Sequence, residues 1–143
     1  MNETSETQQT KAERPPAAKP LWRPARLIGL VEGSLATTGD TCSCRVRFNA
    51  DEKFFAGHFP ARPVVPGVIM IEGLIALYER STGTRRTLAH LIEAKFRSEA
   101  HPNDELGYVM ITAGAEHKGE ITCGGKEVLT VRMKLIDPGA QPG

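Results

Sequence analysis

The sequence predicts an α+β domain in which an antiparallel sheet wraps one long helix, and three observations carry that prediction. Within the helical segment 66–80, residues 68–78 are apolar except for Glu72 and Gly73. The segments before and after it alternate apolar and polar residues with the period of two expected of strands. Turn signals separate those segments closely, which favours hairpins over crossovers. An apolar helix has to bury itself against another element, and the strands are there to cover it.

Residues 1–20 lack apolar periodicity and include Pro15, Pro16 and Pro20 among Ala, Thr, Glu and Lys, so they read as a disordered tail. The folded domain is expected at 21–137, with a second short tail at 138–143. Segments 26–32 and 41–48 read as paired strands joined by a turn at Thr38–Gly39–Asp40. In the second, Cys42, Cys44, Val46 and Phe48 share one face, and Ser43, Arg45 and Arg47 the other. A loop over 54–66 leads to the helix. Pro66 suits a first helical position, where its missing N–H costs nothing. Gly83 suits a left-handed cap at the far end. Segments 88–99 and 105–117 are long enough for curved strands, with a turn between them in which Asn103 tolerates positive φ. Lys118–Gly119 and Gly124–Gly125 read as tight turns around a short strand at 120–123. The last strand, 128–136, sets Val131, Met133 and Leu135 against Thr130, Arg132 and Lys134.

A chain of 143 residues fits one domain with a real core. Its formal net charge of +1 gives no global field that would argue for nucleic acid. No apolar run reaches the length of a membrane span, and the polar N-terminus lacks the apolar centre of a secretory signal. Cys42, Cys44 and Cys123 are an odd number, and the first two sit two residues apart on one strand face, where they do not easily bridge. They read as small buried hydrophobes rather than metal ligands, and a reducing, cytoplasmic setting is expected.

The chemistry concentrates in GHFPARPVVPGVIMIEGLIAL, residues 57–77. His58 precedes a loop stiffened by Pro60, Pro63 and Pro66, and Glu72 follows fourteen residues later inside the apolar helix. An imidazole and a carboxyl are well suited to moving protons near neutral pH. In an apolar helix Glu72 is expected out of bulk water, where burial disfavours the charged form and a neutral carboxyl becomes available as a general acid. Alternatively, Glu72 points into a water-filled crevice or pairs with an arginine, and His58 is a capped or core histidine. The two together, on either side of a rigid loop, favour a catalytic pair.

These residues resemble the 3-hydroxyacyl-(acyl carrier protein) dehydratases of type II fatty acid synthesis, which have the hotdog fold. His58–Phe59–Pro60–Ala61–Arg62–Pro63–Val64–Val65–Pro66–Gly67–Val68–Ile69–Met70–Ile71–Glu72 is similar to that family's H-F-P-G-x-P-x-x-P-G-V-L-x-x-E, without a gap. Ala94–Lys95–Phe96–Arg97 and Pro102–Asn103–Asp104–Glu105–Leu106 resemble its K-F-R and P-G-D-x-L segments. Ala61 stands where the family has glycine, and the glutamine that usually follows in the helix is missing. The resemblance implies His58 as base at carbon two, Glu72 as acid toward the hydroxyl at carbon three, and the Gly67 N–H as donor to the thioester oxygen. It implies an acyl tunnel lined by Phe59, Pro66, Val68, Ile69 and Ile71, and no metal or redox cofactor. The partners implied are an acyl carrier protein, for which Arg62, Arg85, Arg86 and Arg97 are docking candidates, and a second hotdog subunit. That subunit is a second copy of the chain or a related protein in a heterodimer, and related dehydratases also serve polyketide-like and aryl polyene pathways. The rival readings are a hotdog thioesterase and a non-catalytic acyl-binding partner subunit of a heteromeric dehydratase.

Overall fold

Residues 27–55 and 63–139 are described by the computed structural model. They form β1 (Ala36–Thr38), β2 (Thr41–Arg47), a single 3-10 turn at Lys53–Phe55, α1 (Gly67–Thr82), β3 (Thr87–Phe96), β4 (Glu105–Ala113), β5 (Glu116–Cys123) and β6 (Lys126–Ile136). The strands make one antiparallel sheet in the order β1-β2-β4-β5-β6-β3. The helix therefore carries the chain from β2 to the opposite edge of the sheet, and β4, β5 and β6 fill the space between. One long helix packed against an open antiparallel sheet is the hotdog arrangement.

The alternation read in 41–48 is realised: Cys42, Cys44, Val46 and Phe48 are buried. They meet Leu106, Tyr108 and Met110 of β4, Ile121 of β5, and Leu129, Val131 and Met133 of β6. Met70, Leu74, Ala76 and Leu77 bring the helix onto this surface. Each large apolar side chain fully buried there contributes roughly 1.5–3 kcal/mol. Gly83 closes the helix at φ 71°, its N–H bonded to the Glu79 carbonyl, and Asn103 takes φ 72° in the turn before β4. No helix among the described residues is long and apolar enough to cross a membrane.

Two expectations are corrected. Segment 26–32 forms no strand among its described residues. Gly29 (φ 81°) breaks the extended run, Gly33 (φ 78°) bends the chain just beyond it, and only the bridge Leu30–Val46 remains. The first strand is the short β1. Lys118–Gly119 is not a turn but lies inside β5, because the hairpin turns earlier, at Gly114 (φ 64°). Gly119 serves close packing instead: a Cβ there would stand 2.7 Å from Leu74 Cδ1. The expected N-terminal tail lies outside the described residues. So does most of the C-terminal one, whose Pro138 and Gly139 form a turn.

Candidate active site

The site is built on the start of α1. Val65 is buried, and its N–H donates to the Ala100 carbonyl at 2.8 Å, which ties the loop to the segment before β4. Pro66 follows in extended conformation (φ −62°, ψ 141°) and gives the helix no side-chain cap. Its carbonyl accepts the N–H groups of Ile69 at 3.1 Å and Met70 at 3.3 Å. The N–H groups of Gly67 and Val68 are among those that helix geometry leaves without an intrahelical acceptor, at the positive end of the helix dipole. A Cβ at Gly67 would stand 2.5 Å from the Phe96 ring, so a larger residue here would have to displace that exposed side chain. The ring of Phe96, at the end of β3, therefore packs on the helix start.

Glu72 lies one turn further on. The sequence predicts it buried, but in this chain it is exposed. The sheet covers only one side of the helix, where Met70, Gly73, Leu74 and Leu77 lie. Val68 (61% exposed) and Glu72, four residues apart, share the uncovered side, with Ile71 and Ile75 partly buried. Beside Glu72 is a small cavity of about 20 Å³ lined by Ile28, Phe48, Ile69, Glu72, Gly73 and Tyr108. His58, Phe59 and Arg62 lie outside the described residues. The chain on either side of them is anchored by buried Phe55, whose ring centroid is 4.6 Å from that of Phe54, and by Val65. Of the expected tunnel residues described, Pro66, Ile69 and Ile71 are partly buried and Val68 is exposed.

The uncovered helix side continues onto β3, which ends the sheet and has no neighbour on its outer side among the described residues. Leu88, Leu91, Ile92 and Phe96 are all more than a third exposed on this edge. An unpaired strand with apolar side chains is a template for pairing with another chain. The docking candidates divide. Arg85 is exposed. Arg86 donates to the Asp137 carboxylate and to the Arg85 carbonyl, both at 2.9 Å, and Arg97 is 3.7 Å from the Glu127 carboxylate. The last two thus brace the ends of β3 against β6.

Several polar groups were missed in the sequence. Glu79, at the end of α1, is buried and accepts the Arg86 N–H at 2.8 Å, which ties the helix to the entry of β3. Nothing in its local sequence distinguishes it from a surface residue of a last turn. His117 is buried, with Nδ1 3.1 Å from Thr112 Oγ1 and its ring against Tyr78. Burial first, then the nearby Arg86 charge, lowers its pKa. A larger cavity of about 210 Å³ lies at the other end of the helix, among Thr37, Asp40, Cys42, Tyr78, Ser81 and Thr112. Burial pushes the Cys44 thiol up to about 11, and Cys42 is raised for the same leading reason, so both behave as neutral apolar groups.

This fold has a carboxylate on an open helix face beside a strand edge unpaired among the described residues, and the family match places the chain in the hotdog dehydratase superfamily. Residues 34–128 match the family described as ApeI-like: ApeI dehydratase, and the chain belongs to that family. It is also similar to the 3-hydroxyacyl-[acyl-carrier-protein] dehydratase FabZ of Levilactobacillus brevis, 34% identical over 93 residues that cover 59% of this chain and 63% of the relative. The chain spans between 60% and 65% of the length of three of the curated relatives it matches. Among solved structures it is similar to the dehydratase heterocomplex ApeI:P from Xenorhabdus doucetiae (TM-score 0.67, 16% identity, 74% of this chain and 96% of that one). It is also similar to the (R)-hydratase from A. caviae involved in PHA biosynthesis (TM-score 0.55, 15% identity, 68% and 94%). At these identities the two structures speak to the fold alone. The sequence resemblance to the fatty acid synthesis enzymes is thus one of two relationships, and the family match is to the other.

Proposed function

We propose that this chain is a dehydratase-type subunit that acts on 3-hydroxyacyl thioesters held by an acyl carrier protein, and that it works against a second hotdog subunit. The observation that carries the proposal is the uncovered side of the helix. Glu72, Val68 and the start of α1 are continuous with an apolar, unpaired strand edge. A second subunit paired along β3 would cover that side, take the Glu72 carboxyl out of water, and bring a loop of its own toward it. The match to the ApeI-like family, and the heterocomplex to which the fold is similar, favour a related hotdog protein as this partner.

The reaction follows from the residues. A neutral His58 imidazole removes the proton from carbon two, and charge that builds on the thioester oxygen is met by the Gly67 N–H at the helix start. Glu72 gives its proton to the hydroxyl leaving carbon three. Arg62, beside the proposed base, and the exposed Arg85 are suited to an acidic carrier. The domain limits, 21–137 between two tails, remain part of the same proposal.

A homodimer acting in fatty acid synthesis is the second reading. The 34% identity to FabZ and the ungapped spacing from His58 to Glu72 favour it. The test is incubation with a 3-hydroxyacyl carrier protein or its enoyl product, first alone and then with a co-expressed hotdog subunit. Interconversion only with the partner supports the first reading, and interconversion alone supports the second. Release of free acid would make the protein a thioesterase, and no turnover in either setting would refute both dehydratase readings.

A further inference from the structure

Tyr108 is the largest fully buried side chain of the core, and its hydroxyl has no protein hydrogen-bond partner among the described residues. A phenylalanine would fill the same space without leaving a polar group unpaired in an apolar setting. The ring also imposes a demand on the helix. A Cβ at Gly73 would stand 2.8 Å from Tyr108 Cε2 and 3.4 Å from its hydroxyl oxygen, so a glycine sits mid-helix where alanine would favour helix formation. Tyr108 and Glu72 line the same cavity, whose other walls are Ile28, Phe48, Ile69 and Gly73. Its volume, about 20 Å³, admits one water molecule and excludes an acyl chain. Among the described residues that line it, the side-chain polar groups are the Glu72 carboxyl and the Tyr108 hydroxyl.

We infer that this cavity receives the oxygen that leaves carbon three, with the Tyr108 O–H donating to it while Glu72 protonates it. The inference rests on the reading above that Glu72 is the acid. As the base takes the proton from carbon two, the electron pair of that C–H bond becomes the carbon two–carbon three double bond. The bond from carbon three to oxygen breaks, and its electron pair stays with the oxygen. The oxygen takes the Glu72 proton and departs as one water. Glu72, left as carboxylate, regains a proton from solvent, and the His58 imidazolium returns one. The phenol keeps its own proton throughout and acts only as a donor. Burial, with a smaller contribution from Cys44, raises the Tyr108 pKa far above its ordinary value, so the donor is present at any working pH. The hydroxyl, which has no partner among the described residues, thus has one in the reaction, and Gly73 leaves room for the ring beside the helix.

The test is Tyr108→Phe, which removes one oxygen and keeps the ring. Dehydration and the reverse hydration share a transition state, so kcat in both directions should fall about ten- to hundredfold. KM should stay within about twofold, and the melting temperature should be unchanged or higher. An independent readout is a high-resolution crystal structure. A water within hydrogen-bond distance of both Tyr108 Oη and the Glu72 carboxylate is expected in the wild type and not in Tyr108→Phe. An unchanged kcat in an active enzyme, or no such water, overturns the inference. If the wild type shows no turnover with any partner, the dehydratase reading itself has failed, and the bridging water alone then decides whether the pocket is an oxygen site.

Discussion

Gly119 sits in the middle of β5, opposite Met110 on one side and Val131 on the other, with Leu74 of the helix directly above. A methyl group there would stand 2.7 Å from Leu74 Cδ1, 2.9 Å from Val131 Cγ1 and 3.3 Å from Met110 Sδ. Non-bonded carbons settle at about 3.5–4.0 Å, so two of these contacts are too close by at least about 0.6 Å. All three side chains are enclosed by protein: Leu74 and Met110 are 0% exposed and Val131 2%. Overpacking of this kind costs about 1–3 kcal/mol, and alanine in place of a strand glycine returns roughly 0.5–1 kcal/mol. Gly119→Ala should therefore destabilise the domain by about 1 kcal/mol, at most about 2.5, which centres on about 4–5 °C in melting temperature for a domain of this size. Thermal and urea unfolding followed by circular dichroism measure it. In a Leu74→Ala background the same substitution should cost much less, with a coupling of about 0.5–3 kcal/mol. An unchanged or raised melting temperature, or strict additivity with Leu74→Ala, would refute the placement of β5 beneath the helix.

Glu72→Gln should lower turnover about a hundred- to ten-thousandfold, as expected when a general acid is removed, and circular dichroism should show an unchanged fold because the side chain is exposed. Leu91→Asp with Ile92→Lys on the β3 edge should weaken assembly and leave a folded monomer, read by analytical ultracentrifugation. If the chain pairs with itself, mixing His58→Ala with Glu72→Gln should restore part of the activity through hybrid dimers, and no recovery after proven subunit exchange would argue against a shared site. His117 favours its neutral form in the fold, so its contribution to stability is present above the ordinary histidine pKa of about 6.5 and is lost as pH falls toward its lowered value. The stability gap between wild type and His117→Gln should accordingly narrow from pH 7 to pH 5 in urea titrations.

The helix and the strands at 41–48, 88–99 and 128–136 are legible because their signals are local. Period-two alternation gave 41–48, apolar density gave the helix, and Gly83 and Asn103 marked their turns by residue type. The failures concern residues whose role is set by something far away in the chain. Gly119 looks like a turn glycine, and only the helix packed over β5 reveals it as a contact glycine. Gly29 looks like an ordinary strand residue, although a Cβ there would stand 2.6 Å from the Arg47 carbonyl oxygen. Glu72 reads as buried because apolar density does not say which molecule covers it, and here the sheet covers only one side of the helix. The same limit hides Tyr108, which reads as a plain core aromatic until its ring is seen to share a cavity with Glu72.

The most direct test of the site is mass analysis of carrier-bound acyl groups after incubation of a 3-hydroxyacyl carrier protein with the wild-type assembly and with its Glu72→Gln counterpart. Loss of one water from the acyl group with the wild type, and none with Glu72→Gln in an assembly of the same size, is the expected result. Equal water loss by both, or an intact hydroxyacyl group with every hotdog partner tried, would contradict a dehydratase whose acid is Glu72.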